Sequence, residues 1–297
     1  MATTFNDKIF AQEIFQQVRP LLTPFSVWAN DISPARKQKG DSVTVPLFGN
    51  TTTTTFSQST TVYEQSGGTI SAITVNLNLD DITPVDLTLR QLAESSAAGR
   101  FDAFAVQMAN SHAARMLSHV FSAITTGSFG TAAVSTSIAN YDRDTIPLAR
   151  KAMINDGVRG PMAMVINPDV EANFLSDDKL TLALNRGTPT VMDEGMLGKL
   201  YGFDIYCAPE LGYNAVSLVG FATGKNAMAI AFRGLDEDLP DEDYAAVEQL
   251  VDNETGFAMT YTRHWSRSQG KFFINLRSLF GFANAVTKEM NLLVRTD

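Results

Sequence analysis

The sequence predicts an α+β fold in which a long β-ribbon precedes a long amphipathic helix, followed by a second region of alternating helices and strands. Three observations carry this. Val43, Val45 and Leu47 alternate with Ser42, Thr44 and Pro46, and Ile73, Val75, Leu77 and Leu79 alternate with Thr74, Asn76 and Asn78, which is the two-residue period of strands. No proline occurs from Glu94 to Ile124, where Phe101, Phe104, Met108, Leu117, Val120, Phe121 and Ile124 fall largely at three- and four-residue steps. Beyond Asn140, short apolar runs alternate with capped amphipathic segments.

The two alternating segments face each other across a polar, Gly-containing tip, Asn50 to Gly67. A two-stranded ribbon alone is at best marginal in water, because its apolar face has nothing to pack against. Its covering surface is therefore expected from elsewhere, most simply another copy of the chain. The helix that follows would be about 45 Å long at ~1.5 Å per residue. Arg100, Asp102, Arg115 and two histidines interrupt it, which excludes a transmembrane span.

Ahead of the ribbon, Phe5, Ile9, Ile14, Val18 and Leu22 form an apolar stripe ended by Pro20 and Pro24. Two readings fit: an N-terminal arm that docks on another surface, or a first helix packed on its own core. The ribbon favours the arm. Between Thr125 and Asn140 the composition turns to Gly, Ser, Thr and Ala, as in a linker. Asp144 is the expected cap of a helix from Thr145 to Asn155, with Pro147 in its first turn and Gly157 past its end. Met162 to Ile166 reads as a strand, Asn167-Pro168-Asp169 as a turn and Val170 to Leu175 as the start of a helix. Further strands are expected at Phe203 to Cys207, Ser217 to Phe221, Ala227 to Phe232 and Phe272 to Leu276.

A chain of 297 residues that is 44% hydrophobic is long enough for about two domains with a real core. A net charge of -9 argues against tight binding to nucleic acid phosphates, although it allows enclosure of nucleic acid. Cys207 is the sole cysteine, so disulfide frameworks and cysteine-rich zinc sites are excluded. The N-terminus lacks the pattern of a signal peptide, and cytoplasmic synthesis is expected.

Motifs that could carry chemistry fail on spacing. Gly220-Phe-Ala-Thr-Gly224-Lys225-Asn226 has three residues between its glycines and asparagine after its lysine, where a phosphate-binding loop needs four and a Ser or Thr. It reads as a plain turn between strands. His112 and His119 are seven residues apart, hence ~10 Å along a helix, too far to share a metal ion with bonds of about 2 Å. They read as solvated or interface histidines. His264 has no local partner to organise it as a base. The acidic run Asp236 to Asp243 lacks the glycine and distal glutamate of a calcium loop and reads as a solvated loop. Cys207, inside an apolar strand, reads as a small hydrophobe. No catalytic, cofactor-binding or metal site is expected.

The order of these parts resembles that of the major capsid proteins of tailed bacteriophages, the Hong Kong 97-type fold. Lys39-Gly-Asp-Ser-Val-Thr-Val-Pro46 is similar to the family's entry to its extended loop, and Gly198-Lys-Leu-Tyr-Gly-Phe-Asp-Ile-Tyr206 followed by Ala208-Pro209 to its recurrent turn-and-strand segment. Asn167-Pro168 before a helix fits as well. The resemblance implies a Hong Kong 97-like capsid fold: an N-terminal arm (1–33), an extended β-hairpin loop (34–80), a peripheral domain with the long spine helix (81–140 and 255–279), and a mixed α+β axial domain (141–254 and 280–297).

By the same resemblance the chain is a non-enzymatic shell protein of the virion that encloses double-stranded DNA without reading its sequence. The implied partners are its own copies in hexamers and pentamers, a portal protein and, as an optional addition, a decoration protein; no membrane is involved. Because the chain begins at Met1 and reaches the arm at once, a separate scaffolding protein is expected. No lysine or arginine occurs from Gly40 to Leu89, so the lysine cross-link of some family members is not expected. An encapsulin-like compartment of the same fold is the alternative, and an enzyme built on His264 a third reading. Phe5, Ile9, Phe56, Val62 and Tyr63 are the candidate inter-subunit contacts.

Overall fold

The computed structural model describes residues 7–22, 25–31, 42–48, 70–88, 101–176, 199–213, 217–233, 244–251 and 256–296. Helix α1 (Asp7–Leu22) leads through the one-turn α2 (Phe25–Trp28) into β1 (Ala29–Asp31). The apolar stripe of α1 packs within its own chain: Phe10, Ala11, Ile14, Val18 and Leu22 are all buried in the main core cluster. The Asp7 carboxylate pins the start of α1, accepting from the Tyr261 hydroxyl at 3.0 Å and from Arg263 Nη2 at 2.8 Å.

The ribbon pairs β2 (Ser42–Phe48) with β3 (Ile70–Asn76) in antiparallel register, Val43 opposite Val75 and Val45 opposite Ile73. The second alternating segment does not run on as one strand to Leu79. The Asn78 N–H turns back onto the Asn76 carbonyl at 3.0 Å, and after this kink β4 (Leu79–Thr88) pairs elsewhere. The apolar face at the root of the ribbon is covered by the subunit itself, which corrects the expectation of a second copy there. Val43, Val75 and Leu77 bury against Ala229, Ala231 and Leu279. A Cβ at Gly281 would stand 2.1 Å from the Asn76 carbonyl oxygen, so glycine is what lets the ribbon seat this closely.

Helix α3 (Phe101–Ser122) is 22 residues, about 33 Å, long. Ala105, Met108, Ala109, His112, Ala113, Met116, Leu117, Val120 and Phe121 are buried along it at helical spacing, and α1 lies against it. A short α4 (Thr126–Phe129) follows, capped by Thr125 Oγ1 accepting from the Ser128 N–H.

The remaining strands are β5 (Val134–Thr136), β6 (Met162–Ile166), β7 (Lys199–Leu200), β8 (Phe203–Cys207), β9 (Leu218–Gly224), β10 (Met228–Arg233), β11 (Tyr244–Val251), β12 (Ala258–Ser266), β13 (Lys271–Asn284) and β14 (Met290–Arg295). They form two sheets. In the first, β13 is the long central strand: β4 pairs along one edge, and β12 and then β10 pair along the other, with β1 and β11 outermost. In the second the order is β5-β14-β9-β6-β8-β7. Strands β9 and β10 are consecutive yet belong to different sheets. Gly220 permits β9 to lie close beside its antiparallel neighbour β6, since a Cβ there would lie 2.7 Å from the Val165 carbonyl oxygen.

One face of the second sheet, through Val165, Phe221 and Leu292, joins Trp28, Phe121 and the first sheet in the main core. Its other face carries α5 (Thr145–Asn155) and α6 (Pro168–Ser176), with Ile146, Ala149, Met153, Val170 and Phe174 packed on Met164, Phe203 and Ile205. Tyr141 clamps the edge, its buried hydroxyl donating to the Val294 carbonyl at 2.7 Å. Asn167 caps α6, Oδ1 accepting from the Val170 N–H at 3.0 Å, with Pro168 at the first helical position. The expected cap of α5 is corrected: Asp144 makes no side-chain cap bond. Asp142 does the work, its carboxylate accepting from the Asp144 N–H and its carbonyl from Thr145 Oγ1.

Candidate functional site

Histidine chemistry resolves first. His112 is not solvated or at an interface, as its sequence reading had it; it is fully buried. Its ring nitrogens sit 2.9 Å from Thr83 Oγ1 and 2.8 Å from Ser278 Oγ, so one imidazole ties α3 to β4 and β13. Burial holds its pKa down at about 4, against a smaller opposing pull from Asp81. A neutral imidazole with both nitrogens engaged is a structural cross-brace. His119 is separate: Nε2 lies 3.1 Å from Asp81 Oδ1, and the ring meets Phe280 edge-on. The two histidines share no ligand. Among the described residues no cluster of three metal-ligating side chains occurs.

The glycine-rich segment is occupied by a protein anion. Glu289 accepts from the Asn226 N–H at 2.9 Å and from Asn226 Nδ2 at 3.3 Å. A carboxylate already holds the amide that a phosphate would need, and the segment links the two sheets rather than closing a hairpin within one. His264 stacks on Phe273 at 5.2 Å between ring centroids. Cys207 is exposed at the end of β8, unlike a buried small hydrophobe. Partial desolvation of its sulfur, a hydrogen bond to Glu171 and the charges of Glu171 and Glu210 push its thiol up to about 12, so it carries no thiolate near neutrality. These groups supply no nucleophile and base in register.

Of the candidate contact residues, Ile9 is described. It is 60% exposed on α1 while Phe10 and Ile14 are buried, so it projects away from the subunit core. Phe5, Phe56, Val62 and Tyr63 lie outside the described residues, as does the acidic run Asp236 to Asp243. Sequence reading missed a second group of exposed apolar side chains: Leu148, Ile154 and Leu175 on α5 and α6, and Tyr201 in the β7–β8 turn. The three on helices sit in short amphipathic elements where an outward apolar residue blurs the periodicity. The one local signal was Tyr201-Gly202, since a two-residue hairpin turn prefers Asn or Gly where tyrosine stands.

No sequence-family profile matches the chain, and no curated protein matches it by sequence. Solved structures do match across nearly its full length. The capsid of the cyanophage P-SCSP1u is 14% identical, with a TM-score of 0.61 over 92% of this chain and 88% of that one. The capsid of a native GTA particle is 13% identical, with a TM-score of 0.52 over 93% and 90%. A virus-like particle from Pyrococcus furiosus is 10% identical, with a TM-score of 0.51 over 96% and 98%. With the ribbon seated on its own sheet, the long α3 behind it and two sheets sharing one core, the chain has the fold of the tailed-phage major capsid proteins.

Proposed function

We propose that this chain is a major capsid protein that assembles into an icosahedral shell enclosing phage double-stranded DNA. The full-length match to capsid subunits carries this reading. In this reading α3 is the spine helix of the Hong Kong 97-type architecture, residues 1–33 the N-terminal segment, whose α1 stripe packs on the subunit's own core rather than docking on another surface, and 34–80 the extended loop. The second sheet with α5 and α6 takes the axial role. The first sheet with α3 takes the peripheral one, and β10 and β11 go with it because their hydrogen bonds lie there.

Assembly would give hexamers and pentamers, aided by a separate scaffolding protein, closed at one vertex by a portal protein and open to a decoration protein. The role is structural rather than enzymatic, in the virion, after synthesis in the host cytoplasm. The net charge of -9 fits a wall that contains DNA without gripping it. The match to a virus-like particle from Pyrococcus furiosus favours one alternative, a compartment of the same fold that holds protein. Particle contents decide between them. Nuclease-protected double-stranded DNA inside native particles is the result expected, and a protein cargo without DNA would establish the compartment.

A further inference from the structure

Strand β11 ends the first sheet: among the described residues it pairs with β12 alone, and no strand lies along its other edge. A bare edge is a template for another strand, and proteins blunt such edges by keeping them short or by placing proline and charge on them. The other edges of the two large sheets follow that rule. Strands β1, β5 and β7 are two or three residues long, and β4 carries Pro84 with Asp80, Asp81 and Asp86. Strand β11 does not follow it: its eight residues, Tyr-Ala-Ala-Val-Glu-Gln-Leu-Val, hold no proline, no lysine and one charge, Glu248.

The face that β11 turns away from the core is apolar as well. Side chains alternate along the strand, Leu250 packing on the main core while Val247 and Val251, 39% and 57% exposed, point the other way with Gln249 between them. The register with β12 shifts between Tyr244 and Ala246 and is regular from there to Val251. A bulge bends a strand, so Val247 to Val251 is the straight edge available for pairing.

These five residues are self-complementary. Residues directly opposite in an antiparallel pair share a face, so two copies of one strand must pair about a residue rather than between two. About Gln249, Val247 of each strand meets Val251 of the other and Glu248 meets Leu250. About Glu248 the two carboxylates would stand directly opposite, which is destabilising. About Leu250, Val251 would meet Gln249 and Val247 would fall past the strand's end, and pairing about Val247 would need the bulged residues.

We propose that β11 of one copy pairs antiparallel with β11 of a second copy about a two-fold axis through Gln249, joining their first sheets into one. The proposal rests on the shell reading above. A two-fold contact uses the same patch on both partners and so cannot be repeated around a ring; in a shell it joins subunits of neighbouring capsomers.

The test is cysteine cross-linking of the full chain with Cys207→Ser as background, read on a non-reducing gel after mild oxidation of assembled particles. Opposite Cα atoms in an antiparallel pair are about 4.5–5.5 Å apart, within disulfide reach. Gln249→Cys should therefore give covalent dimers, as should Val247→Cys with Val251→Cys. Val247→Cys alone should stay monomeric, because its two copies would lie four residue steps, about 13 Å, apart. Val251→Lys should lower particle yield at least about tenfold while leaving the thermal unfolding of the free subunit in place. Particles of Gln249→Cys that stay monomeric on the gel, dimers from Val247→Cys alone, or parental yield from Val251→Lys overturn the pairing and leave the shell reading intact. Gln249→Cys dimers from a chain that never forms particles uphold the pairing and overturn the shell.

Discussion

His112 shows how much a single side chain carries when it is buried between elements far apart in sequence. Its imidazole is neutral because protonation would strand a charge in the core, and its pKa is held at about 4 against an ordinary value near 6.5. The unfolded chain therefore binds a proton that the folded chain refuses. Stability from this group is fully present above pH ~6.5 and is lost as the pH falls toward 4, at no more than about 1.4 kcal/mol per pH unit. His112→Asn should cost about 1–2 kcal/mol at pH 7.5 and flatten that slope, as read from urea unfolding across the range. A slope unchanged by the substitution would mean that His112 does not carry the acid sensitivity. Gly281 gives a sharper steric case, since a Cβ there would run into the Asn76 carbonyl oxygen at 2.1 Å. Gly281→Ala should destabilise the free subunit by about 1–3 kcal/mol, read as a lower urea midpoint. An unchanged midpoint would mean the ribbon root is not seated on β13.

At the scale of elements, the sequence was most legible where local chemistry is self-contained. Thr145–Asn155 and Met162–Ile166 fall where periodicity, Pro147 and Gly157 put them. Legibility ends where the answer depends on a distant partner. Strands β9 and β10 are buried along their whole lengths, a pattern that says both faces are covered but not by which neighbours, and they join different sheets. His112 looked like a surface residue because Thr83 and Ser278, its partners, lie 29 and 166 residues away. The ribbon was legible as a pair of strands, but its root packs on Ala229, Ala231 and Leu279, which no period announces. Its tip supplies the element-scale prediction. Replacing Asn50 to Gly67 with a short Gly-Ser turn removes Phe56, Val62 and Tyr63 and leaves the paired strands and their own-subunit seat. The variant should stay soluble, with a cooperative thermal transition and near-parental circular dichroism, but should form no particles. Normal particles would make the tip a passive loop, and loss of the transition would make it part of the subunit core.

For the whole molecule, one chain makes a core of its own and still leaves apolar surface at several separated places: Ile9 on α1, Ile154 and Tyr201 at one end of the second sheet, Leu175 at the other. No lysine lies from Gly40 to Leu89, so neighbours should be held without covalent links through that loop. Boiled particles should run on a denaturing gel as single chains, and a ladder of dimers to hexamers would require a donor such as Lys37 or Lys39. The most direct measurement is electron microscopy of the purified chain, expressed alone and with the scaffolding protein proposed above. Closed shells of uniform diameter are the expected result, and a monodisperse monomer under every assembly condition would contradict the shell.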